Sequence, residues 1–269
     1  MNLENICSQV VELATSAGSF IREQRKHFTL DRVETKGLHD FVSYVDKESE
    51  KLLVEGLSKI LPVAGFIAEE GSGEPKPGGL NWVVDPLDGT TNFIHGLPPY
   101  AISIGLMDNE TLILGVIYEV TLDECFYAWG NGKAYMNGKE ICVSNIENIS
   151  DSLIATGFPY YDYNRIHPFM KSMEHFMRHS HGLRRLGSAA TDLAYVACGR
   201  FEAFYEYSLQ PWDVTAGAFI VEQAGGRVCD FKGTNDYIFG KEIIASNSKL
   251  FNSFVDIVSN IMSPKDKEV

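Results

Sequence analysis

Apolar residues recur at helical spacing from the start of the chain. Leu3, Ile6, Val10, Leu13, Ala14, Ala17, Phe20 and Ile21 share one face and predict a helix over about residues 3–27. The polar stretch from Glu34 to Asp40 reads as a loop. Val45, Leu52, Leu53, Leu57 and Ile60 then form a second stripe, predicting a helix over about 44–60 that Pro62 stops. The pattern next shortens to strands: Ala64–Ala68, a strand running into Asp85, then 101–107, 112–118 and 125–128. Asp108-Asn109 and Asn137-Gly138 supply hairpin turns, so this half is expected to pair antiparallel. The loop from Gly71 to Gly79 is rich in glycine and proline and marks a break between strands.

Beyond about residue 150 strands and helices alternate. Strands are predicted at 153–156, 183–186, 203–207, Val228 and Ile243-Ile244. Helices are predicted at 166–179, 188–198, 211–224 and about 249–261. Ser188 has the chemistry of an N-cap, Gly199 follows the end of its helix, and Pro211 takes the favoured first helical position. The tail from Ser263 is charged, and frayed ends are common there.

Composition narrows the class. With 269 residues, 45% of them hydrophobic, the chain can bury a sizeable core as one large domain or two packed lobes. A net charge of −13 argues against a nucleic-acid binder, which would show a basic face. Five scattered cysteines form no Cys-x-x-Cys pair and read as reduced thiols. Met1-Asn2-Leu3-Glu4-Asn5 lacks the basic and apolar regions of a secretory leader, and no apolar run reaches membrane-spanning length, so the expectation is a soluble cytoplasmic chain.

The candidate chemistry sits at strand ends. Trp82-Val83-Val84-Asp85-Pro86-Leu87-Asp88-Gly89-Thr90-Thr91 is an apolar strand closing in two carboxylates, a glycine and two hydroxyls. The Gly-Thr step offers N–H groups that suit an anion, and the carboxylates suit a hard divalent cation such as Mg²⁺. Together they invite a phosphate ester held by metal. Glu69-Glu70 closes the preceding strand. Alone it is a solvated turn, but converging carboxylates repel one another unless a cation intervenes. Asp213, in the first turn of a predicted helix, is either a helix cap or a further ligand. His95 reads as a loop residue, and the aromatic run Tyr160-Tyr161-Asp162-Tyr163 as surface or interface packing.

Taken together, Asp85-Pro86-Leu87-Asp88-Gly89-Thr90, Trp212-Asp213-Val214-Thr215-Ala216-Gly217 and Glu69-Glu70 resemble the signatures of the inositol monophosphatase family. The similarity extends through Asp40 to Asp46, Gly187-Ser188-Ala189-Ala190 and Glu222-Gln223-Ala224-Gly225-Gly226. Thr156-Gly157-Phe158-Pro159 and Arg184-Arg185-Leu186-Gly187 are most similar to its bacterial inositol-1-monophosphatase branch. The resemblance implies a layered αβαβα sandwich (α+β and α/β) of the sugar-phosphatase type shared with fructose-1,6-bisphosphatase. It also implies two lobes: residues 1–148, with the antiparallel sheet and most metal ligands, and residues 149–269, supplying Asp213 and substrate contacts.

The implied activity is Mg²⁺-dependent hydrolysis of myo-inositol monophosphate by direct attack of a metal-activated water. Two or three ions would be held by Glu69, Asp85, the Leu87 carbonyl, Asp88, Thr90 and Asp213. Asp46, Glu70 and Thr90 would be catalytic, with Thr90 and Asp46 passing the proton of the water. Asp88, Gly89, Thr90, Ser188, Ala189, Glu206 and Asp213 would contact substrate, Gly89 and Thr90 through N–H groups on phosphate and Glu206 through polyol hydroxyls. Lys36 resembles a loop lysine near the site of relatives, with one residue fewer before Asp40. Lithium inhibition and a homodimer are implied by the family alone. The same chemistry would serve fructose-1,6-bisphosphate, NADP, histidinol phosphate or 3′-phosphoadenosine phosphate. A non-catalytic regulatory module is the alternative from another class, and it would be expected to lack a metal ligand.

Overall fold

The computed structural model describes residues 1–29, 33–37, 40–159 and 162–262. Two helices open it, α1 (Leu3–Lys26) and, after the strand pair β1 (Val33–Gly37) and β2 (Asp40–Ser43), α2 (Tyr44–Ile60). A seven-stranded sheet follows: β3 (Gly65–Ala68), β4 (Leu80–Asp88), β5 (Ala101–Asp108), β6 (Thr111–Glu119), β7 (Glu124–Trp129), β8 (Ala134–Met136) and β9 (Lys139–Ile141), with α3 (Thr90–His95) inserted after β4. The strands lie in sequence order, antiparallel except for the parallel pair β3–β4.

The second sheet has five strands in the order β11-β10-β12-β14-β13. They are β10 (Leu153–Thr156), β11 (Gly182–Arg184), β12 (Ala203–Tyr207), β13 (Gly226–Cys229) and β14 (Glu242–Asn247). The helices of this half are α4 (Ile166–His179), α5 (Ala189–Ala197), α6 (Pro211–Gln223) and α7 (Phe251–Met262). β10 pairs in parallel with β11 and β12, whereas β14 runs antiparallel to both its neighbours.

The layers run α1/α2, seven-stranded sheet, α5/α6, five-stranded sheet, α4/α7. Three apolar clusters fill the four spaces between them. Ile6, Val10, Ile21, Leu53, Trp82 and Ile104 seat α1 and α2. Val83, Ile117, Leu193, Ala216, Ile220 and Ile243 surround α5 and α6, and Phe169, Phe176, Tyr205 and Phe254 seat α4 and α7. α5 and α6 are buried almost all round, as a central layer must be.

One contact fixes the site above all. Gly105 and Gly115 lie opposite each other in β5 and β6, and α6 crosses directly over them. A Cβ on Gly105 would lie 2.4 Å from Thr215 Cγ2, and one on Gly115 2.6 Å from the Ala216 carbonyl oxygen. Only glycine lets the helix settle this close. Ser103, two residues before Gly105, donates from Oγ to the Trp212 carbonyl at 3.0 Å. The start of α6, and with it Asp213, is thereby tied to the strand beside Asp85, which pairs with Ser103.

The polar stretch expected to be a loop at 34–40 is instead an antiparallel strand pair, β1 with β2. β4 does not stop at Asp85 but resumes its pairing at Asp88 after an irregularity around Pro86, where proline lacks the N–H the ladder needs. The tail from Ser263, Tyr160-Tyr161 and the side chains of Lys36 and Asp40 lie outside the described residues. Among the described residues no helix is long and apolar enough to cross a membrane.

Candidate metal centre and active site

Asp85, Asp88 and Asp213 converge. Each offers one carboxylate oxygen, and these lie within 4.8 Å of one another. The convergence follows from the elements: Asp85 and Asp88 flank the irregular step at the end of β4, and α6 delivers Asp213 across the gap between sheets. Leu87 N donates to Asp85 Oδ1 at 2.8 Å, which turns that carboxylate toward the strand end. Asp213 also caps its helix, accepting from Gln210 N at 2.7 Å through Oδ2. The two roles weighed for it coexist, because a carboxylate has a second oxygen to spend.

Asp88 is held from the other side. Its Oδ2 accepts from Ser188 Oγ at 2.6 Å and from Ala190 N at 2.7 Å. Ser188 caps α5, so the positive end of that helix faces Asp88. These bonds and Arg185 offset part of the desolvation, and the Asp88 carboxyl is pushed up only to about 6. Asp85 and Asp213 are raised well above the carboxylate range, first by burial and then by their acidic neighbours, Glu69 among them for Asp85. Three mutually repelling carboxylates with an all-oxygen donor set fit a hard divalent cation, which would remove both the repulsion and the desolvation penalty.

Thr90 stands beside the cluster. Its hydroxyl lies 2.9 Å from Asp46 Oδ1 and 3.0 Å from the Leu87 carbonyl, either of which can accept its single proton. Asp46 is buried at the start of α2, where Oδ2 accepts from Ser43 N at 2.9 Å and Ser43 Oγ at 2.6 Å. Burial outweighs these bonds and raises its pKa. Gly89, between Asp88 and Thr90, has φ +91°, and a Cβ there would sit 3.1 Å from the carbonyls of both Gly187 and Pro99. The turn is closed to any larger residue.

Glu69 and Glu70 occupy the turn after β3, with Glu69 N donating to the Val84 carbonyl at 3.2 Å. The Glu69 carboxylate acts on Asp85 electrostatically but lies outside the tight triad. Glu206 on β12 is buried, and its pKa is pushed up to about 8 by desolvation, with Arg185 opposing and Asp88 adding to the shift. Its carboxylate lies against Gly157, where a Cβ would meet it at 2.0 Å. Ala189, in the first turn of α5, presents its N–H to Asp88. The hydroxyl of Ser188 is engaged by Asp88 and Thr191. His95 ends α3 rather than lying in a loop.

Two acidic residues escaped notice in the sequence. Asp192 is fully buried on α5 with neither carboxylate oxygen hydrogen-bonded, and its pKa is raised well above normal by burial, then by Glu206 and Asp88. Glu50 is fully buried on α2 and grips the Glu69-Glu70 turn. An acid inside an otherwise apolar helix was the available signal for Asp192. Glu50 sits in the charged run Asp46-Lys47-Glu48-Ser49-Glu50-Lys51, which hides it.

The sequence model of the inositol monophosphatase family matches residues 2–263. The chain belongs to that family. An inositol-1-monophosphatase of Mesorhizobium japonicum is 35% identical over 257 residues, covering 95% of this chain and 97% of that one. The Nus factor SuhB of Pseudomonas aeruginosa is 35% identical over 259 residues, covering 94% and 96%. Among solved structures, an inositol monophosphatase from Anabaena superposes with a TM-score of 0.86 at 32% identity, covering 97% and 98% of the two chains. The layered sandwich is therefore the fold of inositol monophosphatases, and membership supports a phosphatase acting on a small phosphorylated substrate.

Proposed function

We propose that this inositol monophosphatase family member is a Mg²⁺-dependent phosphomonoesterase that hydrolyses myo-inositol monophosphate, inositol 1-phosphate in particular, to myo-inositol and phosphate. The observation that carries the reading is the convergence of Asp85, Asp88 and Asp213 beside the Asp46–Thr90 pair. Asp85, Asp88 and Asp213, with Glu69, Thr90 and the Leu87 carbonyl, would hold two or three ions. When bound, the ions supply Lewis acidity that acidifies water and offsets the charge of the phosphate.

The residues do the rest. Asp46 accepts a proton passed through the Thr90 hydroxyl, and its own orientation is locked by Ser43. Glu70, in the turn after the neighbouring strand β3, is a second acceptor. The N–H groups of Gly89 and Thr90 steady the phosphate oxygens. Asp88 and Asp213 line the side from which the polyol enters, with Ser188 and Ala189 behind Asp88. Glu206 presents its carboxyl to polyol hydroxyls. We also read the chain as two lobes, 1–148 and 149–269, with the site where they meet, and as a cytoplasmic, lithium-sensitive homodimer on family grounds.

The test is phosphate release from a panel of inositol 1-phosphate, fructose 1,6-bisphosphate, NADP, histidinol phosphate and 3′-phosphoadenosine phosphate, compared by kcat/KM with Mg²⁺ and with chelator. Inositol 1-phosphate should lead, turnover should vanish in chelator, and Asp88→Asn and Asp213→Asn should each abolish it in folded protein. A variant that kept most activity would overturn the metal assignment. Another substrate leading the panel would keep the chemistry and change the substrate. The SuhB name that several relatives carry makes a regulatory module the second reading. Its sole support is that name, and the complete set Glu69, Asp85, Asp88, Thr90 and Asp213 speaks against it as the only role.

A further inference from the structure

The buried face of α2 does more than present Asp46. One turn further on, Ser49 donates from Oγ to the Pro86 carbonyl at 3.3 Å, and beside it Glu50 turns toward the end of β3. The Glu50 side chain has no access to solvent. Its Oε2 accepts from Glu70 N at 2.7 Å and its Oε1 from Ser72 N at 2.8 Å. Every amide of the turn is thus spoken for: Glu69 N bonds Val84 of β4, Gly71 N bonds Ala68 of β3, and Glu70 and Ser72 bond Glu50.

A fully buried carboxylate is costly to place. A merely structural need could be met by a neutral side chain. What a neutral side chain cannot do is accept from two N–H groups through two equivalent oxygens. Glutamine would offer one acceptor and turn its own NH₂ against the other donor. Short bonds from backbone N–H to a charged acceptor are the strong kind and fix the turn in one conformation.

We propose that Glu50 is a positioning residue for the metal centre, clamping the 69–72 turn so that Glu69 faces Asp85. The inference rests on the metal-site reading above, with Glu69 as a ligand. α2 then holds both strand ends of the site from a single rigid element: the end of β4 through the Ser49–Pro86 and Asp46–Thr90 bonds, β3 through Glu50. The nearest precedent in chemistry is the outer-shell partner of a ligating carboxylate, whose loss commonly costs about 10- to 100-fold in metal affinity or activity.

The experiment compares full-length wild type with E50Q in three ways: amide hydrogen exchange in chelator, Mn²⁺ binding by calorimetry, and phosphate release against Mg²⁺ concentration. In the metal-free wild type the amides of Glu70 and Ser72 should be protected, and in E50Q at least one should exchange about tenfold faster or more. Mn²⁺ affinity should fall about 10- to 100-fold, and excess Mg²⁺ should restore much of kcat, since no ligand is removed. If E50Q fails to fold, the wild-type amides still decide, because unprotected Glu70 and Ser72 amides overturn the proposal. So does an E50Q that loses stability and activity with an unchanged metal midpoint. Wild type that binds metal and hydrolyses phosphate while E50Q matches it defeats this inference alone. Wild type that binds no divalent ion defeats the metal-site reading and this inference with it.

Discussion

Asp85 spends stability to be where it is. It is buried, it accepts one N–H from Leu87, and Glu69, Asp88 and Asp213 all push its proton affinity up. Asp85→Asn keeps an acceptor for Leu87 N and removes the charge. In chelator the variant should therefore be more stable than wild type, by roughly 1–2 kcal/mol, as expected when an uncompensated buried charge is neutralised. Denaturant titration checks the gain. The same variant should lose the stabilisation that divalent ions give wild type, and its phosphate release should fall to background. An Asp85→Asn protein less stable than wild type without metal would mean that the carboxylate is already compensated within the fold. Asp192 follows a related logic without a role assigned: its unpartnered carboxyl, raised well above normal, is stored beside Glu206.

Among elements, α6 is the one whose placement matters most, and it rests on two glycines. Gly105→Ala puts a methyl 2.4 Å from Thr215 Cγ2, an overpacking that typically costs about 1–3 kcal/mol. If the helix yields, Asp213 moves with it and metal affinity falls. Thr215→Ser removes that Cγ2 while keeping the hydroxyl bond to the Pro211 carbonyl at 2.6 Å. The double variant should therefore recover part of both losses. A double-mutant cycle in denaturation and metal binding measures this, and additive penalties would show that the two residues do not meet. The helices that carry this layer were legible because their punctuation is chemical: Ser188 and Pro211 open them, and Gly199 and Gly225 close them. α3 was not legible, since its six residues are too short to show a 3.6 period. β1 read as loop because Val33-Glu34-Thr35-Lys36-Gly37 is too short and too polar a run to write an alternation of apolar positions. At the site, the acids at strand ends could be read from sequence, but Glu50 could not. A carboxylate that faces inward from a charged run has the same spelling as one that faces water.

At the scale of the whole molecule, the site sets how stability responds to pH. The folded-state pKa values of Asp88 and Glu206 are about 6 and about 8, both above their unfolded values, and those of Asp46, Asp85, Asp192 and Asp213 are also raised. In the window between the unfolded and folded pKa values, the folded chain binds more protons than the unfolded one. Stability from these groups must therefore fall as pH rises through about 4 to 8. A bound metal would reverse the sign of the problem, because it would bind the deprotonated carboxylates and compete with the same protons. In chelator, the melting temperature should decline between about pH 5 and about pH 8. With millimolar Mg²⁺ it should decline less, so the increment due to metal grows with pH and shrinks below about pH 6, where Asp88 takes up its proton. Differential scanning calorimetry across that range reads both curves. A metal increment that did not change with pH would place the binding of the ion elsewhere than on these acids. With a net charge of −13, the molecule as a whole repels a phosphate ester. Cations held by these acids would make the site one place on its surface where that substrate is welcome.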